Sequence, residues 1–202
     1  MYLKGQKKVK NFYILSSIVV TYVIAAIPFG LLVSNAIGVD LRKIGSGNIG
    51  ATNVYRGCGL KWAIVVFICD GLKGFGPVYV ATLLWKDPLF HLAIGLVSVV
   101  GHSLSCFVQF KGGKGVATGL GVVFGLSPII GLILMGVGVS SILLTRYVAP
   151  TSIVCSIMAP FLFYLWGYPL VYVAFFVIIS LLIIIRHIDN IKRLFKGNEN
   201  KI

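Results

Sequence analysis

Four stretches of this chain carry no Asp, Glu, Lys or Arg: Asn11 to Val39, Pro88 to Phe110, Gly115 to Thr145 and Tyr147 to Ile185. Each is longer than the roughly 20 residues with which a helix crosses a hydrocarbon core of about 30 Å. In lipid the backbone must satisfy its own hydrogen bonds, and apolar segments of this length do so as helices. The first stretch is too long for a signal-peptide core and lacks a small-residue cleavage site after it, so it reads as a retained span. The expected fold is therefore all-α: a polytopic integral membrane helix bundle forming one domain over residues 1–202.

Composition narrows the function classes. Hydrophobic residues make up 58% of the 202 and charged residues 11%, against about 25% charged in soluble domains. The net charge is +13, yet nothing resembles a soluble domain that could carry a nucleic-acid surface. Basic loops of this kind follow the positive-inside rule and meet anionic lipid. The four cysteines (Cys58, Cys69, Cys106, Cys155) have no metal-ligand or CxxC spacing, so no metal or cofactor is expected and they read as small packing residues.

Spans are expected at about 12–38, 62–86 and 88–110, followed by four helices between 115 and 185. The breaks in that last region fall at Ser127-Pro128, Arg146 to Pro150 and Gly167 to Pro169, because proline and glycine interrupt helices. The result is about seven transmembrane helices, short or broken ones included. The loops at 40–61 and 111–114 share a face, and the segment from Arg186 is placed there too. Most Lys and Arg residues outside the spans lie on that face, which makes it cytoplasmic, with the N-terminus outside and the C-terminus inside. Lys4, Lys7, Lys8 and Lys10 pull the other way; residues 1–10 read as a basic N-terminal extension, and 196–202 as a short cytoplasmic tail. A helix over about 116–126 is too short to cross alone and needs protein or water over its ends.

Two glycine-rich segments point to anion chemistry. Gly45 to Arg56 combines Ser46, Gly47, Asn48, Gly50, Ala51, Thr52 and Asn53 with the bidentate cation Arg56. Its Gly-x-Gly-x-x-Gly pattern, with Asp70 twenty residues on, imitates a dinucleotide fingerprint, but a membrane span and not a strand precedes it. The second segment, Lys111, Gly112, Gly113, Lys114 and Gly115, opens a helix that contains Thr118. Glycines there free the backbone N–H groups, lysines add charge, and the helix dipole favours an anion. Asp70 and Lys73 lie three apart on one face inside an apolar span. They read as a helix-anchoring pair or as support for the site. His102 reads as a satisfied buried histidine or a catalytic one. His187 and Asn190 share a helical face near the C-terminal end, whereas Lys192, Arg193 and Lys196 read as an ordinary basic turn.

Taken in order, these strings resemble the bacterial acyl-phosphate:glycerol-3-phosphate acyltransferase family of the PlsY type. The matching strings are Ser46 to Arg56, Asp70-x-x-Lys73-Gly74, Gly101-His102, Phe110 to Thr118 and Arg186-His187-x-x-Asn190. Asp189 stands where the family often has glutamate. The resemblance implies transfer of a fatty acyl group from acyl phosphate to the sn-1 hydroxyl of glycerol 3-phosphate. It also implies lysophosphatidic acid and phosphate as products, at an early step of phospholipid synthesis in the bacterial cytoplasmic (inner) membrane. Acyl-CoA and acyl carrier protein are not expected donors; the His-x-x-x-x-Asp motif of other glycerolipid acyltransferases is missing, since Phe107 follows His102 at that spacing. Expected partners are membrane lipid, the two phosphorylated substrates and a soluble enzyme that makes acyl phosphate. On this reading the Ser46–Thr52 loop takes the acyl-phosphate head group, Arg56, Lys114 and the nearby glycines hold phosphate, and His187 and Asn190 orient glycerol 3-phosphate. No covalent nucleophile is expected; His187 and His102 are the candidates for proton handling beside the donor's own phosphate. The alternative is a phosphate or anion transporter, which also uses broken helices, but here the polar residues crowd one face and no repeated halves are visible.

Overall fold

The computed structural model describes residues 2–202, with side chains from Asn11 onward. The lysines of the basic extension therefore lie outside the described side chains, although the backbone there is helical. The described residues form ten α-helices and no strand: α1 (Tyr2–Ala26), α2 (Phe29–Ala36), α3 (Ala51–Cys58), α4 (Leu60–Leu84), α5 (Pro88–Ser103), α6 (Val116–Leu126), α7 (Pro128–Thr145), α8 (Val148–Leu165), α9 (Leu170–Arg186) and α10 (Ile188–Phe195).

Five apolar stretches are long enough to cross a bilayer, and α9 with α10 forms a sixth that bends by 58°. Helix α6, with 11 residues, extends about 17 Å at 1.5 Å per residue and cannot cross alone. Its C-terminal end is covered by protein, as expected: the Tyr168 phenol donates to the Leu126 carbonyl at 3.4 Å. Large aliphatic and aromatic side chains such as Leu83, Leu143, Leu144 and Phe161 point outward, a surface that only lipid can cover without cost.

The structure corrects the first span. It is not one helix over 12–38, because Pro28 removes an N–H and breaks it between α1 and α2. The freed carbonyls are recovered by side chains from elsewhere: Ser105 Oγ donates to Ala26 at 2.6 Å and Lys73 Nζ to Ile27 at 2.8 Å. The third span is also shorter as a helix, ending at Ser103; a 3-10 turn over Cys106–Val108 and left-handed Gln109 and Phe110 carry the chain out. Within the first long loop, residues 51–58 are helical. The segment 196–202 is not a free tail but packs back onto the bundle.

The core runs through α4, α5, α6, α7, α8 and α9 around Val78, Ile94, Val122, Ile130, Phe163, Phe175, Phe176 and Ile179. Phe163 and Phe176 stack at 4.2 Å between centroids. Helices α4 and α6 approach most closely because small residues face each other, the usual route to tight packing where lipid is as apolar as leucine. A Cβ on Gly74 would run into the Thr118 carbonyl, and one on Gly121 into the Gly71 carbonyl. Three polar contacts bring the loops to one end: Arg42 Nη2 donates to the Lys111 carbonyl at 2.7 Å, Lys114 to Asn190, and the Ile202 N–H to the Arg146 carbonyl at 3.0 Å.

Gly121→Ala is expected to force α4 and α6 apart and to lower stability in detergent by about 1–3 kcal/mol, the usual cost of overpacking. Gly136→Ala, where nothing lies within 4 Å of the added carbon, is expected to be neutral or slightly stabilising. Thermal unfolding of the two purified variants beside the parent chain measures the difference, and equal midpoints would mean that the α4–α6 contact is loose.

Candidate functional site

The loop before α3 is built by its own side chains. Asn53, almost fully buried, accepts from the Ser46 N–H at 3.1 Å and donates to the Leu41 carbonyl at 3.0 Å, so it fixes the loop. Asn48 Oδ1 accepts from the Gly50 N–H at 2.9 Å, an Asx turn that leads into α3. Gly50 is the N-cap and has no side chain to offer; the Asn53 N–H turns back to the Gly50 carbonyl at 3.0 Å, and the N–H groups of Ala51 and Thr52 are left for a ligand. Arg56, half-buried on the same helix, donates to the Asn200 carbonyl at 3.3 Å.

The second loop is used differently from the sequence expectation. The N–H groups of Gly112 and Gly113 are spent on the Ser103 and His102 carbonyls, at 3.1 and 3.2 Å. These two glycines allow close packing: a Cβ on Gly113 would run into His102 Nε2. Lys111 is exposed and contributes its carbonyl to Arg42. Lys114 reaches inward, with Nζ donating to Asn190 Oδ1. Gly115, at φ +81, caps α6 with no side-chain partner, so a second helix N-terminus opens beside the first.

Helix α10 supplies the third wall. His187 sits at the bend between α9 and α10 with its ring buried, Nδ1 donating to the Ile183 carbonyl at 2.8 Å in the neutral form. That tautomer leaves Nε2 as an acceptor. Arg186 is held by the Ser103 and Gly113 carbonyls and fastens α9 to the second loop. Arg193, read in the sequence as part of an ordinary basic turn, instead pairs with Glu199 at 2.9 Å, behind the cavity lining but near enough for its charge to act on Lys114. Lys192 and Lys196 are exposed, as that reading has them.

Beneath these loops lies a buried ionic cluster. Asp70 and Lys73 pair at 2.8 Å with both side chains under 5% exposed. Thr118 Oγ1 donates to the Asp70 carbonyl at 2.8 Å. His102 Nδ1 stands 3.6 Å from Asp70 Oδ1, beyond hydrogen-bonding range. Asp70 is thus both the anchor of neighbouring helices and part of the site's floor.

A cavity of about 580 Å³ joins these elements. Its polar mouth is lined by Ser46, Asn48, Gly50, Ala51, Thr52, Asn53, Arg56, Lys114, Gly115, His187 and Asn190, with Asp70 and His102 at its floor. From there it runs into a mainly aliphatic trough between α6, α7, α8 and α9, with Leu120, Val123, Leu134, Val139, Ile142, Ile179 and Ile183 on its walls and Thr151, Ser152 and Ser156 of α8 among them. Gly47, Lys111, Gly112, Gly113, Thr118 and Lys73 support the walls without lining them. Sequence reasoning missed the trough, Arg193 and the returning segment with Glu199, Asn200 and Ile202, which also lines the mouth. Glu199 is the chain's single glutamate among five acids, and its place beside Lys and Arg was the available signal. Burial, then the Arg193 charge, pushes the Lys114 ammonium down to about 8, Glu199 acting against them. The mouth is electropositive, partly dry and open to lipid-like depth, a geometry suited to an anionic head with an aliphatic chain.

Comparison with known proteins agrees with this geometry. The family model described as glycerol-3-phosphate acyltransferase matches residues 15–197. The glycerol-3-phosphate acyltransferase of Fusobacterium nucleatum is 44% identical over 188 residues, covering 91% of this chain and 95% of that protein. That of Aquifex aeolicus is 43% identical over 185 residues, covering 91% and 96%. The crystal structure of PlsY (YgiH), an integral membrane glycerol 3-phosphate acyltransferase, in its glycerol 3-phosphate form superposes with a TM-score of 0.91. The two are 42% identical, and the match covers 94% of this chain and 96% of that one.

Lys114 carries its charge below its pKa and loses it above, so anion binding is expected to weaken as pH rises through about 8. Sulfate keeps one charge state over this range and isolates the lysine. Its dissociation constant should rise by about tenfold between about pH 7 and pH 9.5, and stay nearly flat in Lys114→Arg. A flat profile in the parent chain would place Lys114 outside the anion site.

Proposed function

The chain belongs to the glycerol-3-phosphate acyltransferase family, and from that premise we propose that it transfers a fatty acyl group from acyl phosphate to the sn-1 hydroxyl of glycerol 3-phosphate. The products are lysophosphatidic acid and inorganic phosphate. The observation that carries the reading is one continuous cavity with a cationic mouth and an aliphatic trough. A donor whose acyl chain lies in the trough would place its phosphoryl group among Arg56, Lys114 and the two helix N-termini. Acyl-CoA and acyl carrier protein are not the donors on this reading, because the His-x-x-x-x-Asp motif of other glycerolipid acyltransferases is missing: Phe107 stands at that spacing from His102.

In the proposed reaction the glycerol hydroxyl attacks the acyl carbon, the new ester C–O bond forms, and the bond from that carbon to the phosphate oxygen breaks. The hydroxyl proton passes to an oxygen of the departing phosphate, so no protein base is consumed. His187 Nε2, free as an acceptor in the neutral ring, and Asn190 orient the glycerol moiety. First-turn N–H groups of α6 and α3, with Lys114, stabilise the oxyanion of the tetrahedral intermediate. Two phosphorylated substrates repel each other, and the assembled cations offset that repulsion. The site faces the cytoplasm of the inner membrane on this reading, since the loop end holds most of the basic residues. A soluble enzyme that makes acyl phosphate then supplies the donor.

The test is product formation by purified protein in detergent with glycerol 3-phosphate and either palmitoyl phosphate or palmitoyl-CoA. Lysophosphatidic acid from the phosphate donor alone is the expected result; product only from the thioester would overturn the donor assignment. Arg56→Ala is expected to raise KM for a phosphorylated substrate, at about tenfold or more for a charged contact worth 1.5–3 kcal/mol. His187→Gln should retain substantial turnover, because its role is orientation; complete loss of kcat with unchanged binding would assign it the base.

A further inference from the structure

Helix α10 carries three kinds of side chain on three stripes, each at the three- or four-residue spacing that shares a helical face. His187, at its N-cap, with Asn190 and Arg193 makes the inward stripe, and the first two line the cavity. Ile188, Ile191 and Phe195 make an apolar stripe on which Ile188 is exposed and Phe195 is 89% exposed. Lys192 and Lys196, joined by Asp189, make the third, and all three are exposed. Among the described residues neither lysine forms an ion pair, with Asp189 or with any other acid. The proposed acyl transfer uses neither outer stripe.

The setting of the helix accounts for the pattern. Helix α9 runs through the bundle, and α10 leaves its axis by 58° at the end where the loops gather. An eight-residue helix extends about 12 Å and is unstable by itself in water, so its order depends on what it packs against. The bundle covers the inward stripe only. A helix at the membrane boundary buries its apolar side among the upper acyl chains and keeps lysines at the level of the headgroups.

We propose that the outer side of α10 is a docking surface for anionic phospholipid headgroups, and that this contact holds the cavity wall formed by His187 and Asn190 in place. Phe195 and Ile188 enter the acyl region, and Lys192 and Lys196 reach along its edge to lipid phosphates. Charge selects the partner: two unpaired ammonium groups against one carboxylate favour an anionic leaflet over a zwitterionic one. A second copy presenting the same basic side would be repelled. Coupling to the site follows from the shared helix, since whatever fixes Lys192 and Phe195 also fixes Asn190 within about one turn. The docking needs no assumption about the donor, whereas its consequence for turnover rests on the proposed acyl transfer.

The full chain is reconstituted in nanodiscs of phosphatidylcholine, alone or with about one lipid in three replaced by phosphatidylglycerol. Backbone hydrogen exchange of residues 188–195 is expected to slow by about five- to tenfold in the anionic discs, each lysine contributing about fivefold and Asp189 opposing them. The double variant Lys192→Gln, Lys196→Gln should exchange at the same rate in both discs, within about twofold. Phe195→Ser, which loses the apolar anchor and keeps the lysines, should exchange faster in both. At saturating glycerol 3-phosphate, where repulsion of that anion by the leaflet no longer matters, kcat of the parent chain should be about two- to fivefold higher in the anionic discs. The lysine variant should show no such difference. Equal exchange of the parent chain in the two discs overturns the docking, as does a lipid dependence that survives in the lysine variant. Protection that follows protein concentration and ignores lipid charge would assign the face to a second copy and overturn it as well. Altered exchange with unchanged kcat overturns the coupling to the site. If no product forms from acyl phosphate, the donor assignment fails while hydrogen exchange still decides the docking.

Discussion

The Asp70–Lys73 pair is the interaction on which the rest of the molecule depends. Ionised groups within a membrane span are expensive unless paired and hydrogen-bonded. Here Lys73 meets Asp70 at 2.8 Å and spends a second N–H on the Ile27 carbonyl. That carbonyl is within reach because Pro28 breaks the first span, and it accepts from the Phe29 N–H at 3.1 Å as well. A broken helix thus supplies an acceptor to a buried ammonium. Asp70 also receives Thr118 through its backbone carbonyl, which ties α6 to α4. Helices α1, α2, α4 and α6 are therefore set relative to one another at the depth where the loops emerge, and the two helix N-termini at Gly50 and Gly115 follow from that placement.

Above this cluster the molecule gathers like charges, which a stable fold ordinarily avoids. Arg56 and Lys114 line one partly buried mouth with Arg193 close behind, and burial first, then the Arg193 charge, lowers the affinity of Lys114 for its proton. Arg186 is not part of that crowd, since its guanidinium is consumed by the Ser103 and Gly113 carbonyls. The division is informative. One arginine closes a structural joint between α9 and the second loop, while Arg56 and Lys114 line the cavity itself.

Much of the architecture was legible because membrane solvation acts on long stretches. The uncharged runs located the spans, the prolines at 128, 150 and 169 marked their breaks, and the length of 116–126 alone predicted an incomplete crossing. Local chemistry was legible where a residue type has few uses: Arg56, Lys114, His187 and Asn190 meet at one cavity. What could not be read depends on tertiary geometry. Nothing local says that the Gly112 and Gly113 N–H groups find the carbonyls of His102 and Ser103, or that Pro28 ends a helix whose freed carbonyls are met from α4 and from the turn after α5. The trough was illegible for another reason: its leucines, isoleucines and valines have the same composition as the lipid-facing ones, and only packing separates Leu134 inside from Leu143 outside.

The short helix α6 explains how the two halves of the cavity are joined. Its N-cap Gly115 opens on the cationic mouth, while Leu120 and Val123, one and two turns on, line the aliphatic trough. A side chain advances about 1.5 Å along the axis per residue, so the polar and apolar linings are separated by less than about 15 Å on one rigid rod. On the proposed reading, an amphiphile lying along that rod would have its head at the helix N-terminus, where the dipole favours an anion, and its chain directed into the bundle. Its polar–apolar junction then falls at the first turn of α6, beside Lys114 and the N-terminus of α3. If α6 were long enough to cross alone, its far end would not need Tyr168 as a cover. Its glycine face against α4 holds the rod at the correct depth, so the same small residues that pack the fold also set where a bound head group must stop.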